Sequence, residues 1–193
     1  MQKTTINTGI FWGSFDPPTL AHKVIILKML DLFQEVLIIV NNNLKKQYFS
    51  PVNHRINMLH NMLALGANKY KILIQDDTCN NNYFNLRKTT TGALSVVAGM
   101  DAMQIWLKTH AINELANYDS IYIVTRAGYT SIDLAKLTNL PNIFALPIDD
   151  NYQHISSTAV RKKLFSGQLN SKLIDLDSNI LKYIQQHKLY VTI

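Results

Sequence analysis

A ten-residue stretch near the amino terminus, residues 13–22, constrains the fold of this 193-residue chain most strongly. Apolar residues before it, roughly 6–12, predict a buried strand, and the apolar-rich segment 20–32 after it predicts a helix. A turn built from Gly13, Pro17 and Pro18 therefore joins a strand to a helix, with His22 in the first helical turn. Because a helix amino terminus presents N–H groups and positive partial charge, we expect a phosphate site here.

The rest of the chain repeats this strand–helix alternation. Apolar runs predict further strands at about 36–40, 70–74, 94–98, 121–124 and 143–146. Helices are predicted at about 51–63, 100–108, 133–137, 156–165 and 177–186, with Ser50 as the cap and Pro51 as the first residue of the earliest one, and with Gly66 and Gly167 as stop signals. The segment 76–92 has little periodicity, and no helix is predicted there.

This alternation predicts an α/β fold, a Rossmann-like parallel sheet with helices on both faces. With no internal repeat or linker, residues 1–193 are expected to form a single domain whose C-terminal helical part covers about 156–193. Ligands of such sheets bind beyond the carboxyl ends of the strands. The segments to consider are therefore 13–22, 41–46, 99–101, 125–126 and 156–161.

Charge and composition narrow the class of partner. The net charge of +6 and pI near 9.3 favour anionic partners. The basic residues are scattered, apart from Lys45-Lys46 and residues 161–163, so a small phosphorylated substrate is expected rather than nucleic acid. No apolar run could span a membrane, no signal-peptide core is present, and the single cysteine, Cys79, fits a reducing cytosol. We therefore expect a cytoplasmic protein without a membrane partner.

The residues of the first motif have clear chemical uses. Gly13 allows close approach of the backbone, Thr19 can cap the helix and offer a hydroxyl, and His22, one turn on, can donate to a phosphate. The stretch resembles the G-[GS]-[ST]-F-[DN]-P-x-[HT]-x-x-H signature of the nucleotidyltransferase superfamily marked by a His/Thr-x-x-His motif. The chain matches it at Gly13, Ser14, Phe15, Asp16, Pro17, Thr19 and His22, and departs at Trp12 and Ala21.

A second motif lies far along the chain, at residues 155–161. It resembles the I-S-[SA]-T-x-[IV]-R motif of the same enzymes. Ser156, Ser157 and Thr158 would begin a helix whose hydroxyl and N–H groups face an anion, with Arg161 one turn on. An ordinary capped amphipathic helix is the alternative reading when this motif is considered alone.

Two shorter segments resemble nicotinate and nicotinamide mononucleotide adenylyltransferases. Gly99-Met100-Asp101 with Trp106 resembles their G-x-D…W element, and residues 124–128 resemble their V-x-R-x-G element. The resemblance implies that Trp106 stacks on the pyridine ring, that Asp101 lies in the nucleotide pocket, and that Arg126 binds the mononucleotide. A core aromatic is the alternative for Trp106.

Residues 48–59 resemble the loop and H-R-x-x-M-L helix of the same family, and residues 184–190 resemble its C-terminal pattern. In the family a loop lysine approaches the phosphates, a role open here to Lys46 or Lys45, which could equally be solvated loop charges. The family's Y-T-x-x-T-L stretch and its helix find no match in segment 76–94. We therefore expect that helix to be absent.

The resemblance implies an adenylyltransferase of NAD biosynthesis that joins ATP and a pyridine mononucleotide and releases pyrophosphate. The catalytic residues would be His22, Arg161 and Thr19, and Mg²⁺ would be carried by the ATP phosphates, without a protein metal site. The ATP-binding residues would be Gly13, Ser14, Phe15, His22, Lys46, Ser156, Ser157, Thr158 and Arg161. Phosphopantetheine adenylyltransferase and a non-catalytic nucleotide-binding module are the alternatives. The sequence leaves a homo-oligomer open.

Overall fold

The computed structural model describes residues 7–63, 69–77, 81–108, 112–125, 140, 142–167 and 175–191. In this part of the chain, six strands form one parallel sheet in the order β3-β2-β1-β4-β5-β6. The strands are β1 (Thr8–Gly13), β2 (Glu35–Asn41), β3 (Tyr70–Gln75), β4 (Leu94–Gly99), β5 (Ser120–Thr125) and β6 (Ile143–Pro147).

The strand order reverses direction between β1 and β4. From β1 the chain runs outward through β2 to β3, then returns to place β4 on the other side of β1. This is the order of a doubly wound Rossmann sheet, in which ligands bind at the carboxyl edge beside the reversal point. The predicted fold class is confirmed, and the motif at residues 13–22 begins at that point.

The helices of the described residues have the following bounds. They are α1 (Leu20–Leu32), α2 (Val52–Met62), α3 (Tyr83–Thr89), α4 (Met100–Lys108), α5 (Ile112–Leu115), α6 (Asp150–Gln153), α7 (Ser157–Phe165) and α8 (Ser178–Gln186).

The sheet has a hydrophobic core on each face. In one core, the face of the sheet that carries Phe11 and Ile38 packs against helices α1, α2, α7 and α8. The other packs Ile10 and neighbouring strand residues against α3, α4 and α5. Neighbouring strand residues such as Ile10 and Phe11 enter opposite cores because successive side chains of a strand point to opposite faces. The near-continuous apolar runs of β2 and β4 follow from burial on both sides.

The beginning of α2 differs from the prediction. Its N-cap is Pro51 rather than Ser50, and no side chain caps it. Ser50 is buried, and its carbonyl accepts a hydrogen bond of 3.1 Å from Nε of Arg55. The Ser50-Pro51 pair is thus held in the preceding loop by the arginine one turn into the helix.

The expectation that the segment 76–94 lacks a helix is wrong, because α3 forms there. The side chain of Asn82 accepts the N–H of Asn85 at its start, and Leu86 is buried. A two-turn helix with one fully buried residue leaves no apolar periodicity to detect. The short helices α5 and α6 were also not predicted. The predicted helix at 133–137, Gly66 and Cys79 lie outside the described residues.

Candidate active site

Thr19 and His22 form a capping box at the start of α1. Nδ1 of His22 accepts the backbone N–H of Thr19 at 3.0 Å, and the Thr19 hydroxyl lies 2.9 Å from the same nitrogen. A backbone N–H can only donate, so Nδ1 is unprotonated and neutral His22 carries its proton on Nε2. The hydroxyl of Thr19 is fully buried and therefore positions His22.

Aromatic packing fixes the His22 ring further. The Phe15 ring meets it edge-on with centroids 5.1 Å apart, and the Phe11 ring lies 6.2 Å away. Phe15 itself has a positive φ of 48° and is buried. A Cβ on Gly13 would lie 2.7 Å from the Phe15 ring. The packing of Phe15 therefore leaves no room for a side chain at Gly13.

Residues 155–161 pack directly against the first motif. The Ser157 hydroxyl donates to the carbonyl of Pro17 at 2.8 Å, and Nη1 of Arg161 donates to the carbonyl of Asp16. The backbone N–H of Leu20 also donates to the carbonyl of Asp175, so the C-terminal part of the chain contacts the same turn. The two motifs, separated by about 140 residues, form one structure.

The hydroxyl groups of the second motif serve local structure. Ser156 caps α7 by accepting the N–H of Ala159 at 3.2 Å, and the Thr158 hydroxyl accepts from Nη2 of Arg161 at 3.2 Å. The guanidinium of Arg161 also lies over the Phe49 ring, 4.7 Å from its centroid. These contacts orient Arg161 beside the amino terminus of α7, where positive partial charge already gathers.

The loop before α2 brings Lys46 to the same place. Nζ of Lys46 donates to the hydroxyl of Ser14 at 2.8 Å. The backbone N–H of Lys45 is instead used in a turn with the side chain of Asn43. Of the two lysines left open by the sequence, Lys46 is the one that reaches the first motif.

These groups surround a cavity of about 360 Å³, the anion cavity. Its lining comprises Ser14, Phe15, Asp16, His22, Lys46, Gln47, Phe49, Asp101, Ile155, Ser156, Ser157, Thr158 and Arg161. Of the predicted ATP-binding and catalytic residues, Gly13 and Thr19 do not line this cavity, whereas all the others do. Asp101, predicted for the mononucleotide, lines this cavity too.

Trp106 lies in a different cavity of about 250 Å³, the aromatic cavity. Its lining comprises Trp12, Asn41, Gln75, Asn82, Tyr83, Trp106, Glu114, Leu115 and Tyr118. The rings of Tyr83 and Tyr118 meet edge-on at 4.7 Å, and those of Trp12 and Tyr118 at 6.1 Å. Asp101 and Trp106 are thus separated, and Arg126 lies outside the described residues.

A third cavity, of about 310 Å³, connects the other two. It shares Ser14 and Lys46 with the anion cavity, and Asn41 and Gln75 with the aromatic cavity. The three form one groove along the carboxyl edge of the sheet. A ligand with a charged end and a flat aromatic end could occupy its whole length.

Arg55 organises the wall of this groove. Its side chain is fully buried, and it donates to the carbonyls of Ser14 and Asn41 at 2.8 Å each and to the Asn42 side chain at 2.7 Å. Its guanidinium also lies 4.1 Å from the Tyr48 ring centroid. Burial lowers the pKa of Arg55, against the opposing attraction of Asp16, but arginine remains charged in proteins.

Asp16 and Tyr190 were not predicted as site residues, although they form a buried contact beside the anion cavity. Oδ1 of Asp16 accepts the Tyr190 hydroxyl at 2.7 Å, and Oδ2 accepts the N–H of Phe49 at 2.8 Å. Burial, followed by the Asp16 charge and hydrogen bond, raises the pKa of Tyr190. Both contacts join residues distant in sequence. The position of Asp16 within the first motif was the one available signal.

Within the described residues, no cluster of three or more His, Cys, Asp or Glu side chains is arranged to hold a metal ion. No helix of the described chain is both long and apolar enough to cross a membrane.

Curated relatives carry two different names. A probable nicotinate-nucleotide adenylyltransferase of Acholeplasma laidlawii is 28% identical, over 94% of this chain and 96% of the relative. A phosphopantetheine adenylyltransferase of Desulforamulus reducens is 27% identical, over 75% of this chain and 96% of the relative.

The same fold occurs among solved structures. A Plasmodium falciparum nicotinic acid mononucleotide adenylyltransferase complexed with NaAD superposes with a TM-score of 0.71 at 22% identity, over 96% of this chain and 97% of that one. The family model described as Cytidylyltransferase-like matches residues 10–163, which include both motifs and the groove between them. This chain therefore belongs to the cytidylyltransferase-like family of nucleotidyltransferases.

Proposed function

We propose that this protein is an adenylyltransferase that transfers AMP from ATP to nicotinate or nicotinamide mononucleotide and releases pyrophosphate. The observation that carries the proposal is the convergence of His22, Lys46 and Arg161 on one cavity, beside the amino termini of α1 and α7. Such an arrangement of donors suits a triphosphate. The relatives and solved structures with nucleotidyltransferase names support the same class.

In the proposed reaction the phosphate of the mononucleotide attacks the α-phosphorus of ATP in line. A P–O bond forms to the attacking oxygen, and the bond from the α-phosphorus to pyrophosphate breaks. No side chain forms a covalent intermediate, so catalysis rests on positioning and on stabilising charge. His22 would donate from Nε2–H to a phosphate oxygen, because its Nδ1 is held by Thr19.

Arg161 and Lys46 would neutralise charge that develops on the leaving pyrophosphate. Arg161 is oriented by the Asp16 carbonyl and the Phe49 ring, so little side-chain entropy is lost when a phosphate binds. A magnesium ion carried by the ATP phosphates would add charge neutralisation in the cavity that Asp101 lines.

The aromatic cavity is proposed as the site of the pyridine ring. Trp106 lines it together with Trp12, Tyr83 and Tyr118, which present flat apolar surface and ring edges. The connecting cavity would hold the part of the mononucleotide between its ring and the α-phosphorus. Ser14, Lys46, Asp76 and Asp77 are among the residues that line it. Arg126, which follows β5, remains a proposed ligand of that mononucleotide.

A phosphopantetheine adenylyltransferase is the second candidate, because several curated relatives carry that name. Its acceptor would place a flexible chain of amides, rather than a ring, against the second half of the groove. Four aromatic side chains in that half favour a flat ring over such a chain. The aromatic cavity therefore favours the pyridine acceptor.

The test is pyrophosphate release from ATP and Mg²⁺ with each acceptor in turn. The proposal expects turnover with nicotinate or nicotinamide mononucleotide and background rates with 4′-phosphopantetheine. Turnover with 4′-phosphopantetheine alone would establish the second candidate. ATP binding without turnover on any of the three would indicate a non-catalytic nucleotide-binding module.

A further inference from the structure

Tyr190 links the segment after α8 to the anion cavity, although it does not itself line that cavity. Its side chain is buried, and its hydroxyl donates to Oδ1 of Asp16 at 2.7 Å. On the basis of the proposed function, we infer that Tyr190 is a positioning residue of the ATP site, which acts through Asp16 to hold the Arg161 guanidinium toward the triphosphate. Its loss should therefore weaken ATP binding as well as the fold.

The backbone reverses direction after α8 and so brings Tyr190 to the first motif. The N–H of Leu189 donates to the carbonyl of Ile184 at 3.0 Å, and the N–H of Lys188 donates at 3.3 Å to the carbonyl of Gln185. This pair of bonds is a Schellman motif, whose turning residue has a left-handed backbone conformation. That residue is Lys188, with a φ of 50°, and Tyr190 itself has a φ of 56°. Residues other than glycine hold this conformation where surrounding contacts fix it, so the buried Tyr190 side chain helps to determine the path of the segment.

The Asp16 carboxylate is bound at both of its oxygens. Oδ1 accepts the Tyr190 hydroxyl, and Oδ2 accepts the N–H of Phe49 at 2.8 Å. Asp16 is buried in the wall of the anion cavity, where a carboxylate without donors would be costly. Hydrogen bonds to a charged acceptor are strong, so the Tyr190 hydroxyl and the Phe49 N–H together fix the orientation of this carboxylate.

Arg161 is held by two groups that Asp16 positions. Its Nη1 donates to the backbone carbonyl of Asp16, and its guanidinium lies over the Phe49 ring, 4.7 Å from the centroid. The backbone of Phe49 is in turn bound by the Asp16 carboxylate. Loss of the Tyr190 hydroxyl would free one end of this carboxylate and loosen both supports of the guanidinium. An arginine that is already oriented loses less entropy when it binds a phosphate, so a loosened one binds ATP more weakly.

The electrostatics of Tyr190 agree with this arrangement. Burial, followed by the charge and the hydrogen bond of Asp16, raises the pKa of Tyr190, so its hydroxyl keeps the proton that it donates. The charge of Arg161 lowers the same pKa, against these larger causes. The guanidinium is therefore close enough to act on Tyr190, as expected if both belong to one network around Asp16.

The experiment measures binding of α,β-methylene-ATP with Mg²⁺ by isothermal titration calorimetry, since this analogue is not cleaved at the bond that the proposed reaction breaks. Tyr190→Phe keeps the ring and removes the hydroxyl. We expect Kd to rise about tenfold, on the scale of one hydrogen bond to a charged group. In turnover assays KM for ATP should rise by a similar factor and kcat should fall less, because a bound triphosphate itself orients the guanidinium.

Tyr183→Phe is the matched control. Tyr183 is buried on α8 in the same core as Tyr190, but its hydroxyl contacts the side chains of His54 and Asn57 on α2. The control thus removes a buried hydroxyl from the same part of the chain and leaves Asp16 untouched. Its Kd should stay within about twofold of the wild type, since the two hydroxyls share no partner. Urea unfolding records the stability of both variants, and equal weakening of binding in the two overturns the inference.

Arg161→Met tests the route from Tyr190 to the phosphates. When Arg161 is absent, Tyr190→Phe should raise Kd by less than about twofold more, because no guanidinium remains to be positioned. Losses that multiply in the double variant overturn the inference, and so does a Kd of Tyr190→Phe within about twofold of the wild type.

The binding ratio decides the inference independently of turnover. Wild-type protein that binds the analogue but releases no pyrophosphate with either pyridine acceptor overturns the proposed function alone. Wild-type protein that does not bind the analogue overturns both.

Discussion

The backbone N–H of Thr19 donates a 3.0 Å hydrogen bond to Nδ1 of His22. Because this bond needs an unprotonated Nδ1, it selects the tautomer whose proton is on Nε2. The Phe15 and Phe11 rings hold the imidazole plane. The sequence of the motif thus provides a donor of fixed position and fixed tautomer in the anion cavity.

His22→Ala should lower kcat by about 10²–10³-fold, the usual cost of removing one donor to a transition-state oxyanion. The KM for ATP should change much less, since Lys46, Arg161 and the helix termini still hold the phosphates. Steady-state kinetics of pyrophosphate release measures both values, with circular dichroism to verify the fold. Turnover near the wild-type rate would falsify the role assigned to His22.

Thr19→Val tests whether Thr19 acts on substrate directly or through His22. The Thr19 side chain is fully buried, and valine preserves its shape and backbone N–H while removing the hydroxyl next to Nδ1. We expect about a tenfold loss of kcat in the single variant and no additional loss when Thr19→Val is combined with His22→Ala. Multiplicative losses in the double variant would instead mean that Thr19 contacts the substrate.

Lys46→Met should reduce kcat/KM for ATP by about 10–100-fold, because a hydrogen bond to a charged group contributes roughly 1.5–3 kcal/mol. The matched control is Lys45→Met, which removes the same charge one residue away from a side chain that lines none of the three cavities described for the groove. We expect the control to remain within about twofold of the wild type. Equal losses in both variants would show a general effect of loop charge.

Arg55→Met should destabilise the protein by about 3–5 kcal/mol. The substitution removes the donors to the carbonyls of Ser14, Asn41 and Ser50, and buried acceptors without partners cost about 1–3 kcal/mol each. Urea unfolding at pH 7 measures the loss. Met62→Leu, a buried substitution in the same helix that keeps all polar contacts, is the control and should cost less than about 1.5 kcal/mol.

Local pattern predicted all six strands of the described sheet and the longer helices, but not the short helices α3, α5 and α6. The strand β2 was identifiable because it is apolar on both faces, and α7 because Ser156 caps it. The helix α3 could not be identified in this way, because Leu86 is its one buried residue. Periodicity detects a helix by repeated burial, and a two-turn helix at the edge of a core offers little of it.

The candidate site was predictable where its residues belong to compact motifs. His22 and Arg161 lie in such motifs, and both line the anion cavity. The sequence did not predict that Asp101 and Trp106 line different cavities, because the two residues lie on the same helix. Contacts such as Asp16 with Tyr190, 174 residues apart, leave no local pattern in the sequence.

The Asp16–Tyr190 contact predicts a loss of stability at alkaline pH. The pKa of Tyr190 is raised above its ordinary value of 10.0 by burial and by Asp16, so the fold disfavours its tyrosinate. A group whose pKa is raised in the fold contributes fully below its unfolded pKa, and that contribution is lost as pH rises. The free energy of unfolding should therefore fall above about pH 10, by up to about 1.4 kcal/mol per pH unit from this residue.

Tyr190→Phe should make this decline shallower, although Tyr118 and Tyr70, whose pKa values are also raised by burial, still contribute to it. At pH 7 the variant should be less stable by about 1–3 kcal/mol, because Oδ1 of Asp16 loses its hydroxyl donor. Urea unfolding from pH 8 to 11.5 measures both effects. Tyr152→Phe, which removes a hydroxyl from α6, is the control, and an identical slope in the two variants would refute this coupling.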